Sequence, residues 1–313
     1  MPTLLTVPNV SEGTQRETID AIGSAFQGGG ARLLDVHSDR DHERSVYSLA
    51  APPIVLAEAL LAGARVAVER IDIRDGRGVH PHVGALDVAP IVYLDEPTRG
   101  AALAEALVVA DRIGEELAVP VFLYGAIAGA RARAELRRGG AQELARRVAA
   151  GELVPDFGPH TIHPSAGATL VAAREPLVAF NLELCPPASA ADARRIAALV
   201  REGGQEGLPG LRAIGVALAP SREPAARARA QDAAASGAPA GAEPVAQVSM
   251  NVEQPLHVAL AEIVERVRSH APVARAEIVG LAPRAALEGF PDELPIVGFD
   301  PARQLIENVL TRD

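Results

Sequence analysis

One cysteine in 313 residues, Cys185, excludes an internal disulfide and a thiolate metal site. Tryptophan is absent, and three tyrosines and six phenylalanines are the only other aromatic rings. Stacking platforms for single-stranded nucleic acid need such rings, so that ligand class is disfavoured. Basic residues are in deficit: 30 Lys and Arg against 40 Asp and Glu give a net charge of −10, the reverse of a duplex binder. No apolar run approaches the roughly 18 residues of a membrane span, and no basic segment opens onto a long apolar one at the amino terminus. The expectation is a cytoplasmic protein acting on small molecules, with no nucleic-acid and no membrane partner.

What is present is a large aliphatic complement. Hydrophobic residues make up 48% of the chain, enough for a substantial core, and 313 residues are long enough for two ordinary domains or one large one. Periodicity predicts a strand at 4–7, a helix at 15–26, strands at 32–37 and 45–50, a helix at 53–69 and a strand at 89–94. Thr14 with Glu17 three residues on has the capping-box pattern for the first helix. The order is βαββαβ, the ferredoxin-like order. A helix at 99–117 and a strand at 119–125 extend it, and 126–152 reads as helical pieces. The second half repeats the order, with strands at 177–184, 211–218, 245–252 and 276–281 and helices at 190–202 and 256–270. A closing helix is expected at 301–310. Residues 220–244 have no apolar period beyond Ala and read as a flexible inserted loop. The predicted fold class is α+β, two ferredoxin-like subdomains at 1–175 and 176–313. Cys185, in an apolar run, is expected to be buried. His270 reads as structural and His257 as a surface residue.

Four polar clusters fall at strand ends or loops: Asn9, Ser11 and Glu12; His37, Asp39, His42 and Arg44; Arg77, His80, His82 and Asp87; Asp156, His160, His163 and Ser165. Six of the eight histidines lie in three of them, which suggests one shared site. Two chemistries are open. The imidazoles and carboxylates could hold a metal, but no spacing matches a known framework, and no metal is expected. The other chemistry is metal-free proton transfer, with His80 first in line because imidazole titrates near neutral pH. The plainer reading of His80 is a loop histidine bonded to backbone, and of Asp87 a turn cap. The segment 156–169 reads either as a ligand loop or as an interdomain linker. A Gly-rich triphosphate loop is missing.

Four stretches then carry a resemblance. They are Val7-Pro8-Asn9-Val10-Ser11-Glu12-Gly13, His80-Pro81 followed by Gly84-Ala85-Leu86-Asp87-Val88, Val119-Pro120-Val121-Phe122-Leu123-Tyr124-Gly125, and Val154-Pro155-Asp156-Phe157-Gly158-Pro159. In this order they resemble the glutamate formimidoyltransferase family, the formiminotransferase part of formiminotransferase-cyclodeaminase, over roughly residues 4–300. The likeness is to a stand-alone, bacterial-type form without a cyclodeaminase part.

The resemblance implies transfer of a formimino group from N-formimino-L-glutamate to tetrahydrofolate, as in histidine degradation, with His80 as proton shuttle. It implies folate contacts at Pro155, Asp156, Phe157, Gly158, Pro159, His160, Thr161, Ile162, His163, Pro164 and Ser165. Substrate contacts are expected at Asn9, His37, Arg44 and Asp87. It further implies two subdomains whose sheets face each other with helices outside, and a homodimer. The chain departs from the bifunctional members at Val79 (Glu there), His82 (Arg), His37 (Asp) and Glu43 (Asn). Two alternatives stand beside this reading: a folate-dependent enzyme with another one-carbon donor, and a folate-binding protein without turnover.

Overall fold

Pro8 has no N–H to give a ladder, and the first strand breaks there. Its two pieces, β1 (Leu4–Thr6) and β2 (Asn9–Val10), lie between β4 (Arg44–Ala51) and β5 (Leu86–Val92), antiparallel to both. The computed structural model describes residues 2–40, 43–75, 82–129, 131–218 and 245–311. They form two compact units, Met1–Glu175 and Pro176–Asp313, and the fold is mixed α+β.

In the first unit β3 (Arg32–Asp39) pairs with β4 at one edge. Beyond β5 the sheet continues with two parallel strands, β7 (Thr169–Arg174) and then β6 (Val121–Leu123), for seven in all. Three helices cover one face: α1 (Arg16–Gly28), α2 (Val55–Arg70) and α3 (Glu96–Leu117). Ile19, Ile22 and Phe26 of α1 are buried there as their spacing predicts, with Leu56 and Leu60 of α2, Ile113 of α3, and Leu4, Tyr47 and Ile91 of the sheet. Among the described residues the other face is covered only in part. Leu136 of α4 (Arg133–Arg137) and Leu144 and Val148 of α5 (Gly140–Ala149) pack on Val88, Phe122 and Leu170. Cα partners run His37–Val46–Asn9–Val88 across four strands, and opposed residues share a face. Val88 is buried under α4 and α5, whereas Asn9, His37 and Val46 are only half-buried. This leaves an open half-face bordered by α4.

Several expectations are corrected. Thr14 does not cap α1; Gln15 holds the cap position without a side-chain bond. Glu12 takes over, its Oε1 accepting from the N–H groups of Thr14 (2.7 Å) and Gln15 (2.8 Å). A carboxylate there satisfies two backbone donors at the helix entry and complements the helix dipole. β7 was not expected at all, because a parallel strand covered on both faces shows no alternation. The closing helix splits at Leu305 into α8 (Pro301–Gln304) and α9 (Ile306–Leu310). Cys185 is partly rather than fully buried.

The second unit runs β8 (Val178–Leu184), α6 (Ala190–Val200), β9 (Leu211–Leu218), β10 (Val245–Val252), α7 (Leu260–Arg268) and β11 (Val273–Val279). Its four strands are antiparallel in the order β11-β8-β10-β9. Ile196 and Val200 of α6 and Ile263, Val264 and Val267 of α7 close the core over Phe180, Leu182 and Val248. Ser189 and Asp192 form a reciprocal capping box at α6. His270 Nε2 lies 3.0 Å from Glu206 Oε2, a structural position. The loop expected at 220–244 lies outside the described residues. Among the described residues no helix is long and apolar enough to cross a membrane.

The entry to α2 yields a stability test. Ile54, just before it, has φ of +72°, a strained value for a β-branched residue. Buried Glu105 of α3 holds this turn, accepting from the N–H groups of Ile54 and Ala57 at 2.8 Å each. Glu105→Ala leaves both donors without their acceptor and is expected to lower stability by about 2–3 kcal/mol in urea denaturation. A loss under about 0.5 kcal/mol would show that the cap is not needed.

Candidate active site

A bulge in β5 sets the site. Asn9 stands opposite Val88 and Val10 opposite Leu86, so Asp87 is an extra residue. Bulges re-aim the side chain they carry. The Asp87 side chain is 2% exposed, its Oδ1 accepts the Val83 N–H at 2.7 Å, and its Oδ2 pairs with Arg137 Nη2 from α4. One carboxylate therefore ties the segment entering β5 to the helix bordering the open half-face.

Arg44, at the start of β4, stands opposite Asp39. Its pKa is lowered, first by burial and then by the neighbouring Arg137 and Arg133 charges, while Asp87 and Asp39 act to raise it. Four charged groups therefore lie within electrostatic reach of Arg44. Arg44 and Asp87, which the sequence assigns to two separate clusters, lie within electrostatic reach of each other. Arg133 and Arg137 were not foreseen, since their segment reads only as Ala/Arg-rich helix.

The Asn-Val-Ser-Glu-Gly motif splices these elements. Ser11 Oγ donates to the Gly84 carbonyl at 2.7 Å, and Ser11 N–H to that of Ala85 at 3.0 Å. Ser45 Oγ donates to the Glu12 carbonyl at 2.6 Å. A Cβ on Gly13 would overlap the Asp39 carbonyl, and one on Gly84 the Ala168 carbonyl, so both positions require glycine. Asn9 Nδ2 donates to the Val7 carbonyl at 2.9 Å, which orients its amide. His37 lies in the row containing Asn9, two residues from Asp39.

The stretch 155–165 divides in three. Its start is fastened to β6: Asp156 N–H donates to the Val121 carbonyl at 2.8 Å, and Val121 N–H to that of Phe157 at 3.0 Å. Asp156 Oδ2 accepts from Leu123 N–H (2.8 Å) and Arg131 Nη1 (2.7 Å). Pro155 is buried, and Gly158 packs on Gly114 with no room for a side chain. Next comes an open tip, with His160 and Thr161 exposed, Pro159 half-buried, and Ile162 packed on the α4–α5 core. Last is a tight hairpin in which His163 and Gly167 exchange backbone bonds of 3.1 and 3.0 Å, with exposed Pro164 in its turn. His163 Nδ1 accepts the Ala166 N–H at 2.9 Å, so a neutral ring carries its proton on Nε2. This hairpin clamps the second motif: Ala85 N–H donates to the Ala166 carbonyl (2.8 Å) and Ala168 N–H to that of Val83 (2.9 Å). Ser165 accepts from Ile73 N–H at 2.9 Å.

His42, Arg77, Val79 and His80 lie outside the described residues, and His82 is half-buried. Among the described residues no three His, Cys, Asp or Glu side chains converge as a metal site.

Residues 3–174 match the formiminotransferase domain, N-terminal subdomain. The chain belongs to the formiminotransferase family. It is 33% identical to the glutamate formimidoyltransferase of Streptococcus pyogenes serotype M1, over 97% of both chains. It is 37% identical over 295 residues to the formimidoyltransferase-cyclodeaminase of Rattus norvegicus, covering 90% of this chain and 50% of that one. The Dictyostelium discoideum protein of the same name is 33% identical, with the same coverage of 90% and 50%. The chain thus spans about half the length of these longer relatives. The matched subdomain and the first unit, Met1–Glu175, occupy nearly the same residues.

The Asp87 tie can be tested without substrate. Asp87→Ala strands the buried Arg137 charge and removes the acceptor of Val83 N–H. The expected cost is about 3 kcal/mol by chemical denaturation, since breaking a buried pair from one side is strongly destabilising. A change under about 1 kcal/mol would show that Arg137 finds another counter-charge.

Proposed function

We propose that this protein is a glutamate formimidoyltransferase, passing the formimino group of N-formimino-L-glutamate to N5 of tetrahydrofolate and releasing L-glutamate. The observation that carries this reading is the end-to-end likeness to a relative of that name, 97% of each chain. The product is 5-formiminotetrahydrofolate, and tetrahydrofolate is a co-substrate. N5 attacks the formimino carbon and loses a proton; the departing glutamate nitrogen gains one. His80 carries that proton between them, worth about 10²–10⁴-fold. Asp87 is a positioning residue: it fixes Val83, three residues beyond His80 in the chain. Arg44, Asn9 and His37 face the donor, and the open tip with the 163–167 hairpin faces folate. The strand orders β3-β4-β1/β2-β5 and β11-β8-β10-β9 support a ferredoxin-like reading of both units, the second being the C-terminal formiminotransferase subdomain. A cytoplasmic homodimer belongs to the same reading.

Val79, His82, His37 and Glu43 favour a second reading, a folate enzyme with a different one-carbon donor, because they alter charge beside the donor groups. A transfer assay with formiminoglutamate and tetrahydrofolate decides. Product formation that falls about 10²–10⁴-fold in His80→Ala, with folate binding retained, is the expected result. Absence of product with folate still bound would turn the assignment to another donor, or to a protein that binds folate without turnover.

A further inference from the structure

A ring nitrogen closes the turn between His163 and Gly167. Pro164 has no N–H, which leaves Ser165 and Ala166 as the donors inside the turn. Both are directed at His163 Nδ1, Ala166 N–H at 2.9 Å and Ser165 N–H at 3.4 Å. Ala166 is 1% exposed, and its N–H makes no other hydrogen bond among the described residues. Water is a poor substitute there, and a buried N–H without an acceptor costs free energy. Nδ1 fills the place only with its lone pair. A second proton on the ring sets one N–H against another.

The same residue reaches β5. Ala166 gives its N–H to the ring and its carbonyl to Ala85 N–H, at 2.8 Å. Ala168 N–H holds the Val83 carbonyl at 2.9 Å, and Gly167, with φ of +71°, lies too close to that carbonyl for any Cβ. The hairpin thus grips residues 83–85, which begin three positions after His80. Among the described residues His163 makes no ion pair. The segments packed on the hairpin contain Ile73 and residues 83–85, and the titratable and charged side chains beside them are Asp72, Arg74, His82 and Asp87. Asp72 is bonded to Arg74, and Asp87 to the Val83 N–H and Arg137. On the hairpin's own segment the nearest such side chain is exposed His160.

We propose that His163 is a positioning residue for the His80 loop: its neutral imidazole closes the hairpin that grips residues 83–85, and a second proton on the ring releases that grip. The role rests on the reading of His80 as proton shuttle. It is exerted through backbone bonds and needs no contact with the reacting atoms. The sign is fixed by the bond: the neutral ring accepts and the charged ring cannot, so the grip is present at high pH and is lost as pH falls.

Amide hydrogen exchange followed by NMR tests the device without turnover. In the wild type, the Ala166 and Ala85 amides are expected to lose about 10- to 100-fold of protection, after correction for intrinsic rates, between about pH 8 and about pH 5. Tyr47 N–H, bonded to the Pro8 carbonyl in the same sheet, reports any general loosening and is expected to hold. His163→Leu removes the acceptor and is expected to show the low-pH exchange already at about pH 8. His163→Asn offers an amide oxygen the same number of bonds from Cα and does not titrate, so both amides are expected to stay protected at both pH values. This comparison leaves His82 and His160 in place, and it carries the test if His163→Leu does not fold. Wild-type protection that ignores pH overturns the proposal, as does an Ala85 amide that stays protected while Ala166 opens, or a His163→Asn protein that loses protection as the wild type does. In the transfer assay His163→Leu is expected to lower kcat about tenfold with the KM for tetrahydrofolate within twofold. A raised KM at unchanged kcat would make His163 a folate contact and overturn its positioning role. The expected exchange pattern in a wild-type protein without transfer activity would sink the functional reading and leave the pH-dependent grip standing.

Discussion

A carboxylate with almost no water around it must be matched atom by atom, and Asp87 is matched by two partners from different parts of the first unit. One oxygen holds the Val83 N–H, the other the Arg137 guanidinium. Neither bond forms unless β5 carries its bulge and α4 sits on the β5–β7–β6 side of the sheet. The bulge in turn needs β2 opposite it, and Ser11 and Gly84 join those two strands further along. Small residues recur in this region for the same reason. Gly13 lies under the Asp39 carbonyl and Gly84 under that of Ala168, where any side chain would part the strands.

This arrangement divides labour between the sheet's two faces. The face under α1, α2 and α3 is a conventional apolar core, with Tyr47 and Phe26 in edge-on contact at 5.2 Å between ring centres. Among the described residues the helices on the opposite face pack beyond β5, and Asn9, His37 and Arg44 are half-buried. A face made this way keeps its charged groups on strands, which fix position better than loops.

Much of the frame was legible from periodicity. The face of α1 and the strands β8 and β10 are each written within a few residues. What escaped depends on partners far away in the chain. β7 hides because parallel pairing on both sides buries both its faces and erases alternation. Thr14 looks like a cap because local spacing cannot show that Glu12 is turned inward to do the work. The site followed the same rule: Arg44 and Asp87 stood out beside motif histidines, but Arg137 sits in a monotonous Ala/Arg stretch. Its importance comes from a partner fifty residues away, a separation at which no local pattern operates.

That long reach also explains why the four motifs look unrelated in sequence. The first supplies a strand and a serine, the second a bulge and a carboxylate. The third supplies β6, and the fourth binds β6 through Asp156 while the hairpin after it grips residues 83–85. Each is a backbone device whose side chains mostly serve other backbone. In such a site the residues that meet a ligand are fewer than the residues the motifs contain.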